Sequence, residues 1–225
     1  MNRTSFKVSL LTGLLFCCTF SFAQSAKDIA VVLKSTGDVR VNRAAAQAAE
    51  KAGRGTRLHS GNVLRTGDGA SAAMVFTDDK SVLKVRANSK VNIAGEREEA
   101  SILKTIKLEF GQLWAKVTRS STPFRVETPS GVAAVKGTIF YLLIDPKGGT
   151  IVFCLEGAVE LANKLGKVLV NGGQTGVMND KTPPTSGPSN PNEVPKWGDE
   201  QGEGGVFEIE FQDANGQKKK LKLEY

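Results

Sequence analysis

From Ile29 to Met178 the chain is a succession of short runs in which apolar and polar positions alternate: VVLK, DVRVN, SAAMVF, SVLKVR, VNI, ILKTIKLEF, LWAKV and FRVET. Glycine breaks nearly every run. Short strand-like runs with turn signals at this spacing predict an all-β domain. Two later runs, Thr138 to Asp145 and Thr150 to Leu155, are apolar at almost every position. They flank a Pro-Lys-Gly-Gly turn, and a third strand follows Gly157. Such runs predict strands covered on both faces, as in the interior of a sandwich, barrel or solenoid.

A weak internal echo runs through the pattern. LEFGQLWAKV and CLEGAVELAN each place an acidic residue just before a glycine and then a strand, and GDVRV at Gly37 repeats the second half. Stacked, winding β-layers produce echoes of this kind. The glycine is the meaningful part, because it permits positive φ or close backbone approach where the chain turns a corner. Residues Arg43 to Lys51, RAAAQAAEK, are the exception to the β pattern. They have good helix formers and no β-branched residue, which leaves two helical turns or a surface loop as equal readings.

After Met178 the composition changes. Residues 179–205 hold five of the eight prolines and few large apolar residues beyond Val194 and Trp197, which reads as an extended linker. Trp197 is a candidate anchor for it. The last twenty residues alternate again, with Phe207, Ile209 and Phe211 on one face and Leu221, Leu223 and Tyr225 available from a returning strand. A two-residue Asn-Gly turn would set Ile209 opposite Lys222. A three-residue loop of Ala214, Asn215 and Gly216 instead pairs Ile209 with Leu221, Phe207 with Leu223, Glu210 with Lys220 and Glu208 with Lys222, and this consistency decides the register. An isolated hairpin is marginal in water, so its apolar face is expected to dock on this chain's own domain or on a partner, where it would add strands.

The N-terminus sets the expected compartment. Arg3 and Lys7 precede an apolar run from Val8 to Phe22, and Ser21-Phe22-Ala23 supplies small residues for signal-peptide cleavage, so the mature chain is expected to begin at Gln24 in the periplasm or at the outer surface. An uncleaved anchor is the alternative. Four segments follow: a signal peptide (1–23), a β-domain (24–178), a Pro/Gly-rich linker (179–205) and a β-hairpin (206–225). Loss of Arg3 and Lys7 lowers the formal charge from +7 to +5. Nucleic acid is not expected as a partner, since no base-stacking aromatic platform accompanies the lysines. The alternation of Lys80, Lys84, Arg86 and Lys90 predicts strands with one solvated face, and a weak contact there with anionic glycan or lipid headgroups is the further reading.

Candidate chemistry is sparse. After the signal, one histidine (His59) and one cysteine (Cys154) remain, so no intramolecular disulfide forms and no nucleophile–base pair is evident. Cys154 in IVFCLEG reads as a small core residue and His59 in RLHSG as a surface turn residue. Asp78-Asp79 and Glu96, Glu98 and Glu99 sit in turn-like contexts and read as solvated. No phosphate loop, dinucleotide fingerprint or zinc spacing is present, and no cofactor is expected. An enzyme would need a carboxylate pair assembled by the fold.

The order of motifs resembles the FecR-type domain of bacterial cell envelopes. The resemblance begins at Gly37-Asp38-Val39, continues through GTRLHSGNVLRTGDGASAAMVF and FGQLWAKV to TPSGVAAVKGTIF and EGAVEL, and closes with GKVLVNGGQTGVM. The residues that carry it are Gly37, Gly61, Arg65, Thr66, Gly67, Gly111, Gly131, Gly137, Thr138, Gly157 and Gly173. It implies a twisted, partly solenoidal or sandwich-like β-module that works by contact rather than by chemistry. The family's namesakes relay a signal from an outer-membrane receptor to a sigma factor. With seven residues before its apolar N-terminal run, this chain is expected instead to be a free-standing exported version that meets an unidentified envelope protein.

Overall fold

The computed structural model describes residues 28–43, 48–97, 101–120 and 122–195, and in backbone alone 98, 206–212 and 218–224. The expected signal peptide, Trp197, Glu99, the loop of the C-terminal hairpin and that hairpin's side chains lie outside the described residues.

The chain opens with β1 (Ala30–Thr36), β2 (Val39–Asn42), β3 (Glu50–Lys51), β4 (Arg57–Leu58) and β5 (Asn62–Thr66). Strands then come mostly in pairs: β6 (Ser71–Phe76) with β7 (Val82–Val85), and β8 (Ser89–Glu98) with β9 (Ser101–Phe110). The single β10 (Gln112–Lys116) precedes β11 (Phe124–Thr128) with β12 (Gly131–Val135), then β13 (Ile139–Ile144) with β14 (Thr150–Glu156). The domain closes with β15 (Ala158–Asn163) and β16 (Gly166–Asn171), then β17 (Gln174–Met178) and β18 (Thr185–Pro188). These strands form two nine-stranded sheets: sheet A in the order β18-β17-β14-β13-β10-β7-β6-β1-β4 and sheet B in the order β16-β15-β12-β11-β9-β8-β5-β2-β3.

Successive pairs alternate between the sheets, and each is added beside the last, so the chain winds between two layers from one end to the other. The architecture is an all-β sandwich built by solenoid-like winding. Among the described residues, pairing is antiparallel except between β11 and β9. A single strand on the opposite sheet, β10, separates those two, so the chain returns to sheet B in the direction it left.

The strand alternation fills the space between the sheets. Val32, Met74, Leu83, Leu113, Phe140 and Val152 of sheet A meet Val39, Leu64, Ile106, Val126, Leu161 and Val170 of sheet B in one buried cluster. Phe76 and Phe124 cross it edge to face, with ring centroids 5.6 Å apart.

Three expectations change. Within the stretch read as helix or loop, Glu50–Lys51 forms β3 against β2, because pairing with Arg40 and Val41 outweighs local helix propensity. The expected linker begins too early, since Thr185–Pro188 is an edge strand on β17. Pro and Gly are tolerated there because an outermost strand leaves one side unpaired. The segment before it is fastened as well, the Asn163 side-chain amide donating to the carbonyls of Asn179 (2.7 Å) and Thr182 (2.8 Å), and within the strand Ser186 Oγ donates to Leu169 O (3.3 Å). Residues 179–188 therefore strap sheet A to the end of sheet B. Glu96 lies on strand β8 rather than in a turn.

In the C-terminal hairpin, β19 (Val206–Gln212) pairs with β20 (Lys218–Glu224) in the expected register, with Ile209 opposite Leu221 and Phe207 opposite Leu223.

Candidate functional site

The family-motif glycines resolve into corners of the winding. Gly37, Gly111, Gly137, Gly157 and Gly173 stand where the chain leaves one sheet for the other, all at positive φ. The three echoed glycines are thus three crossings between the sheets: β1 to β2 and β14 to β15 from sheet A to sheet B, and β9 to β10 from sheet B to sheet A. Gly111 shows why no side chain fits: a Cβ there would lie 2.0 Å from Ser89 Oγ, at φ +103°. Gly61 and Gly67 occupy the turns before and after β5, and Gly131 opens β12. Thr138 is buried, and its Oγ1 donates to Ala158 O (2.9 Å), tying the Gly137 corner to the Gly157 corner beside it. The Lys136-Gly137-Thr138 marker holds two layers together.

Arg65, Thr66 and Gly67 behave differently. With Asp38, Arg40, Ser89 and Phe110 they line a shallow pocket of about 200 Å³ on the outer side of sheet B. Its floor is internally satisfied: Thr66 Oγ1 donates to Arg86 O and accepts from Ser89 N (3.0 Å), while Ser89 Oγ accepts from Gln112 N (3.0 Å). Its rim is charged.

The outer faces of the sheets differ in chemistry. On sheet A one cross-strand row reads Lys34, Ala73, Lys84, Trp114, Tyr141, Phe153 and Thr175. Three aromatic side chains are direct neighbours in it, and Lys84 Nζ lies 4.8 Å from the Trp114 ring centroid. Half-buried Leu143 and Ile151 and exposed Leu155 and Val177 flank the row. At the other end of the same face Val31, Leu33 and Val75 form a small cluster with Val82. Sheet B instead carries the row Lys51, Arg40, Arg65, Lys90 and Phe110. The expected basic strip of Lys80, Lys84, Arg86 and Lys90 is not one surface, because β7 and β8 belong to different sheets. Lys84 lies on sheet A and Lys90 on sheet B, while Lys80 sits in the β6–β7 turn at φ +62°.

The candidate carboxylates also change. Asp78 and Asp79 are not solvated: Lys104 Nζ lies 2.6 Å from Asp78 Oδ2 and 2.7 Å from Asp79 Oδ2, and the Lys104 side chain is 2 % exposed. The signal was present in ILKTIKLEF, where Lys104 occupies an inward position between Ile102 and Ile106. The fold does assemble a carboxylate pair, but around an ammonium group and under cover. Asp78 Oδ2 also accepts from Ile102 N (2.9 Å), so the cluster pins the β6–β7 turn to β9. His59 is half-buried, with Nδ1 3.3 Å from Asp28 Oδ1, rather than free in a surface turn. Cys154 is buried as expected, and burial pushes its thiol from 9.0 up to about 11, away from thiolate reactivity.

An all-β module with glycine crossings between two sheets, a buried acid–base clasp and two contrasting outer faces is the class the geometry defines. Residues 62–160, from β5 into β15, match the family model described as FecR protein. Two crystal structures of a candidate anti-sigma factor from Parabacteroides distasonis ATCC 8503, at 1.65 and 2.50 Å resolution, each align at TM-score 0.49 and 16 % identity. Each alignment spans 57 % of this chain and 60 % of the other, less than two thirds of either. No curated protein matches the chain.

Proposed function

We propose that the chain is a non-enzymatic, exported cell-envelope protein whose FecR-type domain holds a protein partner in cell-surface signalling. The FecR match supports the signalling-related part of this reading. The observation that carries the contact is the pair of half-buried aromatic side chains Trp114 and Tyr141 on the outer face of sheet A, flanked by exposed Leu155 and Val177, while Phe153, next in the row, is itself buried. Adjacent aromatic and aliphatic side chains on a sheet face are the composition of interface centres. The test is capture from envelope extract by the wild-type chain and by a Trp114→Ser/Tyr141→Ser variant whose melting curve shows it folded. Loss of one specific partner with the variant is the expected result. Retention of that partner by the variant, together with its loss on deleting 206–225, would assign the contact to the hairpin instead. The anchored alternative is decided by mass spectrometry of the native N-terminus: Gln24 supports the exported reading, and an intact Met1 in the membrane fraction overturns it.

A further inference from the structure

The row across sheet B is a poor arrangement for stability. Arg40 stands directly opposite Lys51 on one side and Arg65 on the other, and Arg65 stands directly opposite Lys90. Three successive like-charge cross-strand pairs repel one another, since side chains at such positions approach to about 5 Å. Two of the cations are compensated: Arg40 Nε lies 2.9 Å from Asp38 Oδ1, and Lys90 Nζ lies 2.5 Å from Glu109 Oε2. Arg65, the central one, is exposed and makes no ion pair or side-chain hydrogen bond among the described residues. It forms one wall of the pocket whose other walls include Arg40, Asp38 and the exposed ring of Phe110, and Phe110 is the next residue along the row after Lys90.

A guanidinium set between two cations, beside a solvated aromatic ring, is suited to an anion that also has a flat apolar surface. The row adds a constraint of shape. It crosses five adjacent strands, so at ordinary strand spacing the cations recur about every 5 Å along a line of about 19 Å. A compact anion such as free phosphate would use one position and leave the others repelling. An extended chain bearing one carboxylate per sugar ring advances by a comparable step, sets its charges against the cations in turn, and offers a ring face to Phe110. We propose that Lys51, Arg40, Arg65, Lys90 and Phe110 form a binding strip for an extended acidic glycan of the uronate type. The strip lies on the sheet opposite the proposed protein contact and does not depend on it.

The test measures binding of the full chain to sodium polygalacturonate over a range of NaCl concentrations, with neutral dextran, inorganic phosphate and phosphatidylglycerol vesicles as parallel ligands. The expected result is polygalacturonate binding that weakens as salt rises, no dextran binding, and phosphate competing only weakly. Arg65→Glu is expected to weaken binding about tenfold or more, Phe110→Ala to weaken it less, and Lys147→Glu in the exposed β13–β14 turn to leave it unchanged. Melting curves establish that each variant is folded, and Arg65→Gln replaces Arg65→Glu should the charge reversal unfold the domain. Undiminished binding by a folded Arg65 variant overturns the proposal, as does equal retention on dextran. Binding to the vesicles without binding to polygalacturonate would assign the strip to a membrane surface and overturn it equally.

Discussion

Lys104 Nζ sits 2.6 Å from Asp78 Oδ2, and both side chains are 2 % exposed. A charged residue thus replaces an aliphatic one in the inward face of β9, and the β6–β7 turn supplies the counter-charges. Removing one partner of a buried ion pair leaves the other uncompensated, which typically costs about 3–5 kcal/mol. Lys104→Met is expected to lose at least that much, because two carboxylates remain beneath it. The triple variant Lys104→Met/Asp78→Asn/Asp79→Asn should recover most of the loss. Urea unfolding of the two proteins measures it, and equal instability of both would show that the clasp is not electrostatic.

The sheet crossings should tolerate a side chain in a definite order. At Gly111 a Cβ would meet Ser89 Oγ at 2.0 Å, whereas at Gly137 it would meet Arg119 Cβ at 3.1 Å. Both have positive φ, so a non-glycine residue at either position adds backbone strain of about 1–2 kcal/mol. Gly111→Ala adds overpacking of about 1–3 kcal/mol and is expected to be worse than Gly137→Ala. Gly137→Val should unfold the domain rather than remove binding alone. Thermal melts rank the three variants.

The strap gives a truncation result. Deleting 196–225 is expected to leave the melting curve of the β-domain unchanged. Deleting 179–225 removes β18 and the two bonds from Asn163, and Asn163→Ala alone is expected to lose about 1–2 kcal/mol. A stable domain ending at Met178 would refute the strap.

Arg65→Gln is expected to raise stability by a few tenths to about 1 kcal/mol by relieving its repulsion with Arg40 and Lys90. The gain should shrink as salt screens the pair, which distinguishes it from a packing effect.

Cys154 sets an alkaline limit. Its folded thiol is raised from 9.0 to about 11, so between those values the unfolded chain releases a proton that the folded one keeps. Stability falls as pH rises through this window, by about 2–3 kcal/mol in all, and is unaffected below pH 9. The wild type minus Cys154→Ala difference in urea midpoint across pH 8 to 11 isolates this term.

What the sequence by itself determined was local. Alternation and turn residues marked the strands, the four cross-strand pairs settled the hairpin register, and the echo around Gly37, Gly111 and Gly157 marked positions where only a residue without Cβ fits. Each of these depends on residues close together in the chain. What the tertiary structure decided was which distant residues share a surface. Arg40, Arg65 and Lys90 become neighbours because β2, β5 and β8 are adjacent in sheet B, while Lys84 and Lys90, only six residues apart in sequence, end on different sheets. Asp78 and Asp79 looked solvated because an aspartate turn normally is. Only the inward placement of Lys104, more than twenty residues away, makes their burial favourable, since a buried charge is stable where its counter-charge is fixed beside it.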